Sequence, residues 1–344
     1  MAARQEQELA TEEITEVAPG ILRLQLPIQF TGLGHVNCYA LEDHRGFTLV
    51  DPGLPGDEPW AGLLDRLGRA AVPLAKVHTV VITHSHPDHF GGAARLRAET
   101  GADILTHRSF RLWWQDGRDE LDDVPADALE MPEDWSRTTP WGAEFTPPSD
   151  KAMDQMRAEM RTDRHIPRPT RRVDDGDVVT LGGREWLSMH TPGHAHDHLC
   201  LFDPHSGVML SGDHVLPTIT PHIGDASGST DDPLADFFHS LERVARLEGV
   251  STVLPAHGHP FTDLPKRVHE IERHHAERLE LLRKASSELG RPAPVKEMME
   301  YLFAPRSWGS MAESETYAHL EHLRISGDAA TTWHDGLLEY QVTG

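Results

Sequence analysis

The sequence predicts an α/β protein, and three patterns carry that prediction. Short apolar runs rich in β-branched residues recur along the 344-residue chain, and five of them end in a small-residue turn that bears Asp or His. One of those turns leads straight into a helix start. Farther on, Val268, Ile271, His275, Leu279 and Leu282 trace one stripe at helical spacing. Open α/β architectures gather their ligand sites at one set of strand ends, which is where this chain places its titratable residues.

The strand ends follow in order. Phe47-Thr48-Leu49-Val50 runs into Asp51-Pro52-Gly53. Val77-His78-Thr79-Val80-Val81-Ile82 leads to Thr83-His84-Ser85-His86-Pro87-Asp88-His89, with a helix expected from about Asp88. Trp186-Leu187-Ser188-Met189 precedes Thr191-Pro192-Gly193-His194, and Gly207-Val208-Met209-Leu210 precedes Ser211-Gly212-Asp213-His214. Last, Val250-Ser251-Thr252-Val253 precedes Leu254-Pro255-Ala256-His257-Gly258.

The stretch from His84 to His89 packs three imidazoles and a carboxylate into six positions. Neutral imidazole and carboxylate suit a borderline divalent ion such as zinc. His84 and His86 alternate along an extended segment and so point the same way, whereas Asp88 and His89 turn back from the helix start. One ion cannot easily use all four side chains, so the spacing points to two. The plain alternative is a His-rich surface loop.

These motifs resemble the metallo-β-lactamase superfamily, whose HxHxDH signature is matched by His84, His86, Asp88 and His89 and whose companion motifs are matched by Asp51, His194, Asp213 and His257. The resemblance covers roughly residues 17–262. It implies an αββα sandwich, with two β-sheets packed face to face and helices outside. It also implies two divalent metal ions: one held by His84, His86 and His194, the other by Asp88, His89 and His257, with Asp213 bridging them. Zinc is favoured, and iron or manganese accept the same ligands. By the same resemblance Asp51 lies behind the motif loop and orients it. A bridging Asp213, where β-lactamases of this fold commonly carry Cys or Ser, is similar to the glyoxalase II and RNase Z-like branches. The chemistry implied is hydrolysis of a carbonyl substrate by a metal-bridging hydroxide, with Asp88 handling the proton of the attacking water. His196 and His198 lie in the His194 loop, either touching substrate or supporting the site. His35 and Asn37 begin a strand whose loop borders the site in this family.

Composition bounds the rest. Formal net charge is −23, from 55 acidic and 32 basic residues. That field repels polyanions, so DNA is not expected as a partner and RNA is disfavoured. Cys38 and Cys200 lie in apolar runs and read as buried free thiols. The opening residues lack an apolar core of the signal-peptide kind, and no stretch approaches the ~18 apolar residues of a membrane span. A cytoplasmic protein without a membrane partner is expected.

Two regions fall outside the basic fold. An insertion from Phe110 to about Arg171 holds Trp113, Trp114, Trp135 and Trp141, and Met153, Met156 and Met160 at helical spacing. It reads as a lid over an apolar part of the substrate, although each residue taken singly suits core cover or a homodimer contact. The catalytic domain is taken as 1–262 and a C-terminal domain as 263–344. In the latter, a helix running to about Leu289 ends at Gly290-Arg291-Pro292. Pro294 to Phe303 and Met311 to Ile325 follow as helices. A hairpin over Ala329–Trp333 and Leu337–Tyr340 closes the chain. That order resembles a winged helix. Its third helix carries Glu313, Glu315 and Glu321 against Arg324, so an interaction or pocket-capping element is expected in place of a DNA reader.

The leading function is therefore a dinuclear-metal-dependent hydrolase acting on a small-molecule thioester, such as an acyl-CoA or glutathione thioester, or on an ester or lactone. The alternative is a metal-dependent endoribonuclease or phosphodiesterase, which the acidic balance opposes. A third reading, a non-catalytic protein with a structural metal, is opposed by the full ligand set.

Overall fold

The computed structural model describes residues 4–30, 32–112, 138–144, 166–224 and 230–343. The first sheet has seven strands in chain order: β1 (Ile14–Ala18), β2 (Ile21–Phe30), β3 (Leu33–Asp43), β4 (Gly46–Val50), β5 (Val77–Val81), β6 (Asp103–His107) and β7 (Arg171–Val173). The first four pair antiparallel, and β4 to β7 run parallel. Helices α1 (Asp57–Arg69), α2 (Pro87–Phe90) and α3 (Ala93–Thr100) fall within the parallel half. The second sheet contains β8 (Val178–Leu181), β9 (Arg184–His190), β10 (Leu199–Asp203), β11 (Val208–Gly212) and β12 (Thr252–Pro255), in the order β12-β11-β10-β9-β8. Helix α4 (Pro233–Ala245) precedes β12.

Side-chain alternation divides these strands between three apolar clusters. Between the sheets lie Tyr39, Leu41, Val50 and Val81 from the first sheet and Trp186, Leu199, Leu201, Leu210 and Leu254 from the second. The opposite faces of the same strands, at Val36, Cys38, Ala40, Leu49 and Val80, pack with Leu63 and Leu67 of α1 and Leu96 of α3. On the far side, Cys200, Phe202, Met209 and Val253 pack with Phe237 and Leu241 of α4. The result is helix, sheet, sheet, helix. Strands buried on both faces must be apolar at nearly every position, which is why they read as continuous runs instead of an alternation. Cys38 and Cys200 are buried free thiols.

The C-terminal region contains α5 (Leu264–Leu289), α6 (Val295–Leu302), α7 (Ser310–Ile325) and a three-stranded sheet of β13 (Ala293–Pro294), β14 (Ala329–His334) and β15 (Leu337–Val342), ordered β13-β15-β14. The helix–helix–helix–hairpin order is present. The two-residue β13, pairing Ala293 with Tyr340, has no pattern of its own in the sequence and owes its existence to its partner strand. Val268, Ile271 and Leu282 of α5, with Leu320, Leu323 and Tyr340, belong to the same cluster as Phe202 and Phe237. The apolar core thus runs past residue 263 without a break. Trp141 joins it, its ring tilted 36° against that of Tyr317 with centroids 4.9 Å apart and its Nε1 donating to Glu313. Phe110, Leu112 and Ile166, also in the insertion, pack into the cluster under α1 and α3. Trp113, Trp114, Trp135, Met153, Met156 and Met160 lie outside the described residues.

The glutamates of α7 work inside the protein. Glu315 pairs with Arg278 at 3.4 Å, and Glu321 binds Arg324 and accepts from the Tyr340 hydroxyl. Between α5 and α7, His319 donates Nδ1–H to the Glu315 carbonyl, so its Nε2 accepts from His275 Nδ1–H at 3.0 Å. Burial, reinforced by the His319 ring, pushes His275 down to about 2. Burial likewise pushes His319 down to about 3, against the opposing bond to Glu315. Both pKa values lie below the ordinary value near 6.5, so the unfolded chain binds more protons in the window between them. This contribution to stability is complete above about pH 6.5 and is lost as pH falls toward the folded values. At pH 5 each histidine should cost about 2 kcal/mol relative to pH 7. Urea midpoints across that range should shift less in a His275→Leu/His319→Leu variant; an unchanged pH slope would refute the assignment.

Candidate metal centre

Asp51 follows β4 with φ of 53°, in the left-handed region that non-glycine residues seldom occupy. That geometry turns its carboxylate back under the motif loop. Oδ1 accepts from the Thr83 backbone N–H at 2.9 Å, and Oδ2 accepts from Thr83 Oγ1 at 2.8 Å and His89 Nδ1 at 2.9 Å. Because Thr83 Oγ1 donates to Asp51, it accepts from His84 Nδ1 at 3.1 Å. One buried carboxylate therefore orients two imidazoles of the motif. Pro87 then occupies the first helical position of α2, where its missing N–H costs nothing, and Asp88 and His89 follow.

The other strand ends are held in the same manner. His257 donates Nδ1–H to the His35 carbonyl at 2.6 Å, and His35 Nε2 accepts the Gly258 N–H. Asn37 donates to the carbonyls of Pro255 and Gly258, both at 2.9 Å. His35 and Asn37 thus sit behind the His257 loop and shape it. Gly193, with φ of 133°, lies so close to α4 that a Cβ would sit 2.4 Å from that of Phe237. Only glycine lets the loop bring His194 to this place. His194 donates Nδ1–H to the carbonyl of His222 at 2.7 Å. His198 Nε2 accepts the Asp213 backbone N–H at 3.0 Å, so His198 supports Asp213 from behind. His196 binds the Ser109 carbonyl at 3.0 Å and lines a cavity of about 360 Å³, shared with Arg111, His190, Gly193 and Asp236.

These bonds decide which ring nitrogens are bare. With Nδ1–H committed to an acceptor, the Nε2 lone pairs of His84, His89, His194 and His257 all face inward. His86 presents Nδ1 instead, 2.9 Å from His84 Nε2 and 3.1 Å from His194 Nε2. On the other side, His89 and His257 Nε2 lie 3.6 and 3.5 Å from Asp88 Oδ2. Asp213 stands between the two sets. Its Oδ2 is 3.5 Å from His194 Nε2 and 3.6 Å from His89 Nε2, and its Oδ1 is 3.3 Å from His257 Nε2. His86 and His194 are half-buried while the other five are buried, so the site opens on their side.

The side chains fit divalent cations. His89 Nε2, His257 Nε2 and Asp213 Oδ1 are buried with no hydrogen-bond partner, and each such orphan costs on the order of 1–3 kcal/mol. Three groups of ligand atoms converge within reach of one ion: His84, His86 and His194; His84, His89 and Asp213; and Asp88, His89 and His257. Electrostatics agrees. Burial, then the neighbouring imidazoles, holds His84 and His86 well below the ordinary histidine range and keeps them neutral, the form that can bind a cation. For His89 and His257 burial acts downward too. The carboxylates outweigh it and raise both rings, Asp88 foremost on His89 and Asp213 on His257. Burial would raise Asp213, but His257 and His89 bring it well below the usual carboxylate value. Protons here fill a place suited to positive charge.

The fold brings together every residue expected at this site, and His198, His35 and Asn37 take positions behind it. The part of His222 carries no sequence signal, because its contribution is a backbone carbonyl.

The Metallo-beta-lactamase superfamily pattern matches residues 31–259, about two thirds of the protein. The chain belongs to that superfamily. Among its relatives within the superfamily, a probable metallo-hydrolase of Bacillus subtilis (strain 168) is 25% identical over 342 residues, spanning 94% of this chain and 98% of that protein. A hydroxyacylglutathione hydrolase of Maricaulis maris (strain MCS10) is 33% identical over 223 residues, 63% of each chain. The crystal structure of a metallo-beta-lactamase family protein from Thermus thermophilus superposes with a TM-score of 0.75 at 27% identity, covering 95% of this chain and all of the other.

Proposed function

We propose that this superfamily member is a dinuclear-metal-dependent hydrolase of small thioesters, with related esters and lactones as further substrates. The observation that carries the reading is Asp213, a buried carboxylate whose two oxygens face His194 and His89 on one side and His257 on the other. In this reading His84, His86 and His194 would hold one ion and Asp88, His89 and His257 a second, with Asp213 available to either. Zinc suits this set of imidazoles and carboxylates best, with iron or manganese as substitutes. When bound, two such cations supply Lewis acidity to a carbonyl oxygen and bring a water's pKa toward neutrality.

The chain's own residues do the remaining work. Asp51 and Thr83 keep His84 and His89 turned inward, so the site needs little rearrangement as charge develops. A carboxylate oxygen of Asp88 takes the proton of the attacking water and returns it to the leaving thiolate or alkoxide. The half-buried side at His86 and His194 admits the carbonyl, and the cavity beside Gly193 and His196 receives the non-reacting part of the substrate.

The hydroxyacylglutathione hydrolase relative supports a thioester, since an acylglutathione is one. The net charge of −23 weighs against nucleic acid. Among the described residues no helix is long and apolar enough to cross a membrane, and the free buried thiols suit a reducing compartment, which we take to be the cytoplasm.

The test is turnover by metal-quantified enzyme on a panel of acyl-CoA and glutathione thioesters, aryl esters, lactones and single-stranded RNA. Metal-dependent hydrolysis of a thioester or ester, lost in His84→Ala, is expected. Cleavage of RNA alone would replace this reading with the phosphodiesterase one.

A further inference from the structure

The C-terminal region touches the metal centre by a route that no motif marks. After Asp213 the chain runs along the surface of that region to Gly224. Arg267 of α5 donates to the carbonyls of Leu216 and Ile219, both at 2.6 Å. Farther along, the His222 carbonyl takes the Nδ1–H of His194, and its ring Nε2 donates to the Met311 carbonyl at 3.0 Å. Met311 lies in the first turn of α7. Gly224 is pressed between these parts: a Cβ there would meet the His222 ring at 2.3 Å and Ser314 Oγ at 2.5 Å.

Helix α7 is itself held on several sides. Trp141 bonds Glu313, Arg278 of α5 pairs with Glu315, His275 of α5 bonds His319, and His322 binds Asp232, which caps α4. A rigid helix end thus fixes the ring of His222, the ring fixes its own backbone, and that carbonyl fixes the tautomer and angle of His194. Groups that orient a metal-bound imidazole in this way commonly change metal affinity by about 10- to 100-fold when removed.

We propose that His222 is a positioning residue through which helix α7 sets the orientation of His194, making the C-terminal region part of the metal site. The inference rests on the assignment of His194 to one of two ions. It makes His194 the ligand most sensitive to anything that shifts α7. His84, His89 and His257 take their orientation from residues of the two-sheet body, namely Thr83, Asp51 and His35.

The test uses the full chain, stripped of metal and titrated with zinc against a chromophoric chelator, with cobalt(II) absorption as the report on ligand geometry. His222→Ala and His222→Asn both lose the bond to Met311; His222→Gln keeps an amide donor at similar reach. Ala and Asn are expected to weaken one of two zinc sites by about tenfold or more and alter the cobalt spectrum, and Gln to restore both. If the Ala variant does not fold, the Asn and Gln pair makes the same comparison. Two sites of wild-type affinity and spectrum in Ala or Asn would overturn the inference. So would a Gln variant as weak as Asn, which would mean that ring packing and not the bond is responsible. A wild-type chain that binds no zinc would instead remove the metal reading beneath it.

Discussion

Replacing Asp213 with Asn should lower kcat/KM on the best substrate by on the order of 10³-fold, about 4 kcal/mol of transition-state stabilisation. The residue is 6% exposed, and its side-chain oxygens lie 3.3–3.6 Å from three imidazole nitrogens drawn from both ligand sets. Asparagine keeps the shape but removes the charge and one acceptor oxygen. The backbone N–H of residue 213 still reaches His198, so the loop should hold its course. Loss of activity should therefore come with metal content falling from two ions toward one and with little change in the fold seen by circular dichroism. A variant retaining a tenth or more of wild-type turnover with two ions bound would show that Asp213 is not shared between them.

Cutting the chain after Pro265 should abolish folding before it affects chemistry. The removed segment contributes Val268, Ile271, Leu282, Met298, Leu320, Leu323 and Tyr340 to a cluster that also holds Met189, Cys200, Phe202, Met209, Phe237 and Leu241. Each fully buried side chain of this kind contributes about 1.5–3 kcal/mol. Their combined loss matches or exceeds the ~5–15 kcal/mol net stability of an ordinary domain, and it leaves the outer face of the second sheet and α4 open to water. The fragment should be insoluble or show no cooperative thermal transition. A soluble 1–265 fragment with a sharp melting transition that still binds two zinc ions would contradict this, and would also count against the role of α7 at His194.

Much of this molecule is legible from local pattern. The strands that end at Asp51, His84, Asp213 and His257 announce themselves because they are largely buried and therefore largely apolar, whereas the one before His194 shows only a short apolar run, Trp186-Leu187-Ser188-Met189, behind the less buried Arg184 and Glu185. Short edge elements do not. Strand β7 has three residues and β13 two, and each is defined by the neighbour it pairs with, Leu105–His107 in one case and Tyr340 with Glu339 in the other. The insertion shows the same limit. Trp141 reads equally as lid or core from its type alone, and only its contact with Tyr317 and Glu313 decides for the core. Glu313, Glu315 and Glu321, which in the sequence argue only against a DNA-reading helix, prove to be partners of Trp141, Arg278 and Tyr340.

By itself the sequence showed apolar strands ending in Asp- or His-bearing turns and a helical C-terminal region, and through the resemblance those turns carry it implied the superfamily, the two-sheet architecture and the seven residues that the fold brings together. The tertiary structure alone decided how the imidazoles are aimed. His257 is turned by the His35 carbonyl, 222 positions away, and His194 by the His222 carbonyl. Every residue has a carbonyl, so nothing in the amino-acid order distinguishes those two. Their roles come only from long-range packing, which also joins the C-terminal helices to the core and, through Met311, to His222.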